Sequence, residues 1–114
     1  MKSKMTVYVA SPYTIGDVAQ NVRRSIDITD CLIEYGFAPF CPLYSHFHQM
    51  IHPRSWETWM DLDYIWVKKC DALLRLDGES KGADLEVEFA IENNIPVFYE
   101  IPELLRYRTE KFNG

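Results

Sequence analysis

Short β-branched and aromatic runs alternate with segments of helical periodicity along the whole chain, and no other feature of the sequence constrains its fold as tightly. Thr6 to Ala10 (TVYVA) reads as a first strand. Val18, Val22, Ile26, Thr29 and Ile33 then recur at helical spacing, which predicts an amphipathic helix over 17–35 with Asp17 as its N-cap and Gly36 at its end. Phe37 to Cys41 (FAPFC) reads as a second strand, and Pro39 favours a sheet edge for it. Pro42 to Arg54 reads as a long connection rich in aromatic residues and histidine. Ser55 can cap a helix from Trp56 to Lys69, and Ala72 to Leu76 is a third strand. After the turn-rich 77–82 comes a helix from Ala83 to about Asn93, carrying Leu85, Phe89 and Ala90 inward. Ile95 to Tyr99 is a fourth strand, and 102–107 a short last helix.

This order means βαβ units with right-handed crossovers. The expected fold is α/β: a small Rossmann-like or flavodoxin-like parallel sheet of four to five strands flanked by helices, one domain over 1–114. In such sheets ligands bind beyond the carboxyl ends of the strands. The loops to watch are therefore 11–17, 42–55, 77–83 and 99–102.

Composition narrows the function. Lys and Arg total 12 against 17 Asp and Glu, a formal net charge of -5, which argues against a nucleic-acid polymer as partner. A mononucleotide stays open, because a few local donors can hold one phosphate. No apolar run approaches the roughly 20 residues that span a bilayer. Met1 to Met5 is polar and runs straight into a strand, unlike a signal peptide. Cys31, Cys41 and Cys70 are odd in number and form no CxxC pair, which fits thiols in a reducing compartment. The expected location is cytoplasmic.

The sharpest chemical signal is Ser80-Lys81-Gly82-Ala83-Asp84-Leu85-Glu86-Val87-Glu88-Phe89-Ala90. Glu86 falls in the first turns of a helix, where free N–H groups and the helix dipole favour an ionised carboxylate. Such a carboxylate beside a ligand-facing loop is the species that attacks an anomeric carbon. The bland alternative is that Asp84, Glu86 and Glu88 are surface acids complementing the dipole. Asp63 lies one turn past Trp59 and one before Val67, so it either turns toward the sheet and orients another carboxylate or stays in solvent. Tyr8 is either an ordinary core tyrosine or one that offers its hydroxyl.

These residues together resemble the nucleoside 2-deoxyribosyltransferase superfamily, including its nucleotide N-glycosidase branch, over roughly residues 5 to 99. The chain looks most similar to small phage and bacterial members whose domain has no assigned function. The matching parts are Tyr8 with Ala10-Ser11-Pro12-Tyr13, Asp63 eight residues before Asp71, and Gly82 to Ala90 with Glu86 at the nucleophile position. The resemblance implies catalysis at an N-glycosidic bond by Glu86, Asp63 and Tyr8. Glu86 would attack C1′, Asp63 would orient it or protonate the leaving base, and Tyr8 would hold the Glu86 carboxylate. The superfamily's transferases carry Asp six residues before the nucleophile, where this chain has Ser80. Its monophosphate-cleaving hydrolases have Ser there, which implies a nucleoside 5′-monophosphate substrate. Lys81, Gly82 and the backbone of Ser11, Pro12, Tyr13 and Gly16 would complete a phosphate cradle. The resemblance also implies a homodimer or larger homo-oligomer, with Asn113 or Glu100 as the residue a neighbouring subunit lends, and no cofactor.

His46, His48 and His52 form HxHxxxH. The spacing matches no standard zinc site, and the expectation is no metal, with His46 facing substrate. Tyr44, Phe47, Trp56 and Trp59 form either a base-stacking wall or a core under the long connection. The alternative from another class is a catalytically silent nucleotide-binding or sensor protein on the same fold.

Overall fold

The computed structural model describes residues 4–112. Asn113 and the first three residues of the polar N-terminus lie outside them. Four strands form one parallel sheet: β1 (Thr6–Ala10), β2 (Ala38–Phe40), β3 (Ala72–Arg75) and β4 (Val97–Phe98), in the order β2-β1-β3-β4. β2 is an edge strand, the position where a proline costs least. Five helices flank the sheet: α1 (Val18–Glu34), α2 (Tyr44–Ile51), α3 (Trp56–Lys69), α4 (Lys81–Glu92) and α5 (Ile101–Tyr107). A π-helical turn, Arg108–Phe112, extends α5.

Strand alternation assigns each side chain to a face. Val7, Val9, Ala72 and Leu74 turn to one face and pack with Leu32 of α1 and Leu104 of α5. Tyr8, Ala10 and Leu73 turn to the other and pack with Val67 of α3 and Ala83 and Ala90 of α4. The same alternation that builds the core thus delivers the Tyr8 ring to the α3–α4 side. In α4 the buried positions are Ala83, Glu86 and Ala90, spaced i, i+3, i+7. Two alanines on this stripe let α4 approach the sheet, and Glu86 is carried inward between them. Leu85 and Phe89, expected inward, are only half-buried.

Three further expectations are corrected. The connection 42–54 contains a two-turn helix, α2. Pro42 and Pro53 bracket a stretch with neither Gly nor Pro, which leaves room for a helix between two breakers. α1 buries Ser25 and Leu32, while Ile26 and Ile33 are 52% and 53% exposed. The apolar periodicity misplaced the face because Ser25 reads as polar, yet its hydroxyl is satisfied by Ser11 Oγ at 2.8 Å and the Asn21 carbonyl at 3.0 Å. α4 starts at Lys81 instead of Ala83, because Ser80 Oγ accepts from the Ala83 N–H at 3.1 Å and caps the helix two residues earlier. The caps assigned to Asp17 and Ser55 do accept from the third residue on, Gln20 N–H and Thr58 N–H.

Candidate active site

The loops after β1, β2 and β3 open at the carboxyl edge of the sheet around a cavity of about 560 Å³. Glu86 and Asp63 both line it. Tyr8 donates from Oη to Glu86 Oε2 at 2.7 Å, with Tyr8 fully buried and Glu86 5% exposed. Asp63, half-buried on α3, stands close enough for its carboxyl to interact with both. Three residues from three elements, separated by up to 78 positions, therefore converge on one point.

Burial pushes the Glu86 carboxyl well above the usual carboxylate range, and the neighbouring Asp63 charge pushes it further. The Tyr8 hydrogen bond and the Arg75 guanidinium pull the other way. Burial also raises Asp63, against hydrogen bonding with Glu86 and Tyr8 that lowers it. Burial raises the Tyr8 phenol well above its ordinary value, with the Glu86 and Asp63 charges adding to it, so Tyr8 stays a donor. Two carboxyls displaced in this way hold a proton between them more readily than free acids do. One member can then be ionised while its neighbour stays protonated. The reading of Glu86 as an acid eased by the helix dipole is corrected: it sits in the second turn, inside, and desolvation dominates.

The other expected site residues divide. Ser11, Tyr13, His46, Ser80, Lys81 and Gly82 line the cavity. The Tyr13 hydroxyl hydrogen-bonds His46 Nδ1, and their rings meet edge-on at 5.2 Å, which ties the 11–17 loop to α2. Lys81 Nζ lies 5.4 Å over the Trp56 ring. Pro12 is buried beside Gly78, and Gly16 holds φ +88 in its loop; neither is in the cavity lining. Trp56 and Trp59 line the cavity, whereas Phe47 is 61% exposed, and the side chain of Tyr44 lies outside the described residues. His48 packs against Trp59 and His52. Among the described residues no group of His, Cys, Asp and Glu is arranged to hold a metal ion.

Sequence reasoning missed Gln49 and Arg54, which also line the cavity. Gln49 Oε1 accepts from Trp59 Nε1 at 2.6 Å and from the Arg54 N–H at 2.9 Å. The signal was the helix α2, which sets His46 and Gln49 three residues apart on one face. Reading 42–54 as irregular removed that periodicity.

Tyr8→Phe deletes the hydrogen bond that Tyr8 donates to the Glu86 carboxylate. Denaturant unfolding at a pH where Glu86 is ionised is expected to show a loss of about 1.5–3 kcal/mol, the range for a bond to a charged group. An unchanged midpoint would mean the bond contributes nothing to the fold.

Sheet order, crossovers and a cavity at the carboxyl edge define an α/β protein built on a parallel sheet with helices on both faces. A solved structure of a 2-deoxyribosyltransferase from the psychrotolerant bacterium Bacillus psychrosaccharolyticus superposes with a TM-score of 0.63, over 81% of this chain and 69% of that one, at 20% identity. At that identity the likeness is one of fold. The chain belongs to the family described as domain of unknown function DUF7768, which matches residues 5–100. Among curated proteins no match is found. No helix among the described residues is long and apolar enough to cross a membrane.

Proposed function

We propose that the protein cleaves the N-glycosidic bond of a nucleoside 5′-monophosphate, with Glu86 as nucleophile. The observation that carries this reading is the buried Tyr8–Glu86 hydrogen bond beside Asp63 at the wall of the cavity. The fold shared with a 2-deoxyribosyltransferase supports it.

In the first step Glu86 cedes its proton to Asp63, and its carboxylate forms a bond to C1′ while the bond from C1′ to the base nitrogen breaks. Protonated Asp63 supplies the proton that the leaving base takes up. Positive charge grows on the sugar ring in an oxocarbenium-like transition state, and the Glu86 carboxylate stabilises it. Tyr8 fixes the attacking carboxylate through its hydroxyl, which limits the rotamers that must be frozen on the way. The resulting glycosyl ester is resolved by water, or by a second base, with deprotonated Asp63 taking the proton. Trp56 and Trp59 offer ring faces to the base, and Ser80, Lys81 and Arg54 gather polar and cationic groups for the phosphate. The same reading expects a cytoplasmic homo-oligomer acting on a small molecule without a cofactor.

The test is a panel of ribo- and deoxyribonucleotides and their nucleosides, incubated with the protein and scored for free base by chromatography. Release of base from at least one monophosphate, faster than from its nucleoside, is the expected outcome. Tight binding of a monophosphate with no release from any member would favour the silent nucleotide-binding protein.

A further inference from the structure

Gln49 stands in the cavity wall with one end of its carboxamide already engaged. Its Oε1 accepts from Trp59 Nε1 at 2.6 Å and from the Arg54 backbone N–H at 2.9 Å. Both partners are N–H donors with no acceptor capacity of their own, so the atom that meets them is the oxygen. Two donors occupy its lone pairs and fix the side chain between α2 and α3. What Gln49 has left to offer the cavity is its NH2 group. That donor cannot turn over to become an acceptor without breaking both bonds.

The place of this donor follows from α3. Trp56, Trp59, Met60 and Asp63 all line the cavity, at the i, i+3, i+4, i+7 spacing of one helix face. Asp63 lies at the reacting end, beside Glu86 and Tyr8. Trp59, to which Gln49 is bonded, stands four residues back, about 6 Å along the helix axis. That distance is comparable with the reach of a nucleobase from its glycosidic nitrogen to its far edge. A base cleaved from its sugar between Glu86 and Asp63, with its ring against Trp59, brings that far edge to Gln49. The far edge is where nucleobases differ. An oxo group at C6 of a purine or C4 of a pyrimidine accepts a hydrogen bond, and an amino group at the same position donates one. A fixed donor pairs with the first. Against the second it leaves two donors facing each other, each stripped of water and unpaired.

We propose that Gln49 is a specificity-determining residue that selects oxo bases: the substrate class is a 6-oxopurine or 4-oxopyrimidine nucleotide, and Trp59 and the Arg54 backbone lock the carboxamide as a donor. The proposal rests on the reading of the cavity as a nucleotide site and deepens it by naming the base. Calorimetric titration compares two pairs of 5′-monophosphates that differ in this group, inosine with adenosine and uridine with cytidine. It is done on the full chain carrying Glu86→Gln, so that turnover does not consume the ligand, and base release is followed separately with Glu86 in place. Each pair gives a ratio, in which any general change in phosphate binding cancels. In the pair that binds better, the oxo member should bind about 10-fold more tightly. Gln49→Glu keeps an oxygen for Trp59 and Arg54 and replaces the NH2 group by an acceptor, so the ratio should invert toward the amino member. Gln49→Met removes the polar group and should bring the ratio close to one, and it decides the matter should the Glu variant not fold. A parent ratio near one overturns the proposal. So does a ratio that these variants leave unchanged, with all four nucleotides weakened alike. An oxo preference that depends on Gln49, without base release from any nucleotide, keeps Gln49 in this role and removes the proposed reaction. Base release with no such preference removes the role of Gln49 and leaves the reaction standing. If none of the four nucleotides binds, both fall.

Discussion

Glu86→Gln is expected to abolish base release and, at neutral pH, to raise the melting temperature. The two effects have one origin. Glu86 is buried against Tyr8 and Asp63, and desolvation lifts its carboxyl well above the range it has in the unfolded chain. Between the unfolded and folded values the folded state binds more protons. Stability is therefore fully present below the unfolded value and is lost as pH rises through the folded one. Glutamine keeps the size and still accepts from Tyr8, but it carries no charge at any pH. The gain should appear as pH rises above the ordinary Glu range and vanish in acid below it. Had Glu86 been the exposed first-turn acid that its helix position suggested, its removal would cost about 0.3–1 kcal/mol of dipole interaction instead. Catalysis should fall by about 10⁴-fold or more, the usual size of a lost nucleophile. Glu88, exposed two residues on, points elsewhere, and Glu88→Ala should keep most of the activity. Melting scans across pH and base-release assays on the two variants decide the matter. A Gln variant that is active, or less stable at every pH, would contradict the account.

The second large effect concerns Ser80. Ser80→Asp should weaken binding of a 5′-monophosphate by about 10- to 100-fold through repulsion at short range, and leave the matching nucleoside nearly unchanged. The variant is informative because it should fold. Ser80 is the N-cap of α4, and Asp caps a helix as well as Ser does. Calorimetric titration with the monophosphate and the nucleoside, at fixed ionic strength, measures both. Equal weakening for the two ligands would mean that Ser80 does not face the phosphate.

Much of this arrangement was legible because it depends on local pattern. The alternation of TVYVA, FAPFC, ALLRL and IPVFY with helical segments carries the parallel sheet, and Pro39 marks its edge. Asp17 and Ser55 are read from capping chemistry alone. Residue type and position left Tyr8, Asp63 and Glu86 open between plain and catalytic readings, the family resemblance implied the catalytic one, and whether they turn inward was not decidable from α3 or α4 separately. It follows from two alanines bracketing Glu86 and from a strand that aims Tyr8 at them, a relation between elements. α2 was invisible because its eight residues lack a side-chain cap. The inner face of α1 was misread because a satisfied buried serine looks polar in a one-dimensional pattern. Gln49 and Arg54 entered the cavity only once α2 existed as a helix.

The most direct test of the central claim is mass spectrometry of the protein quenched in acid during turnover of a monophosphate, followed by peptide mapping. The account predicts a sugar-phosphate adduct on the peptide that contains Glu86, localised to that residue and absent from Glu86→Gln. An adduct on Glu88 or on any other residue, with base release retained in Glu86→Gln, would contradict it.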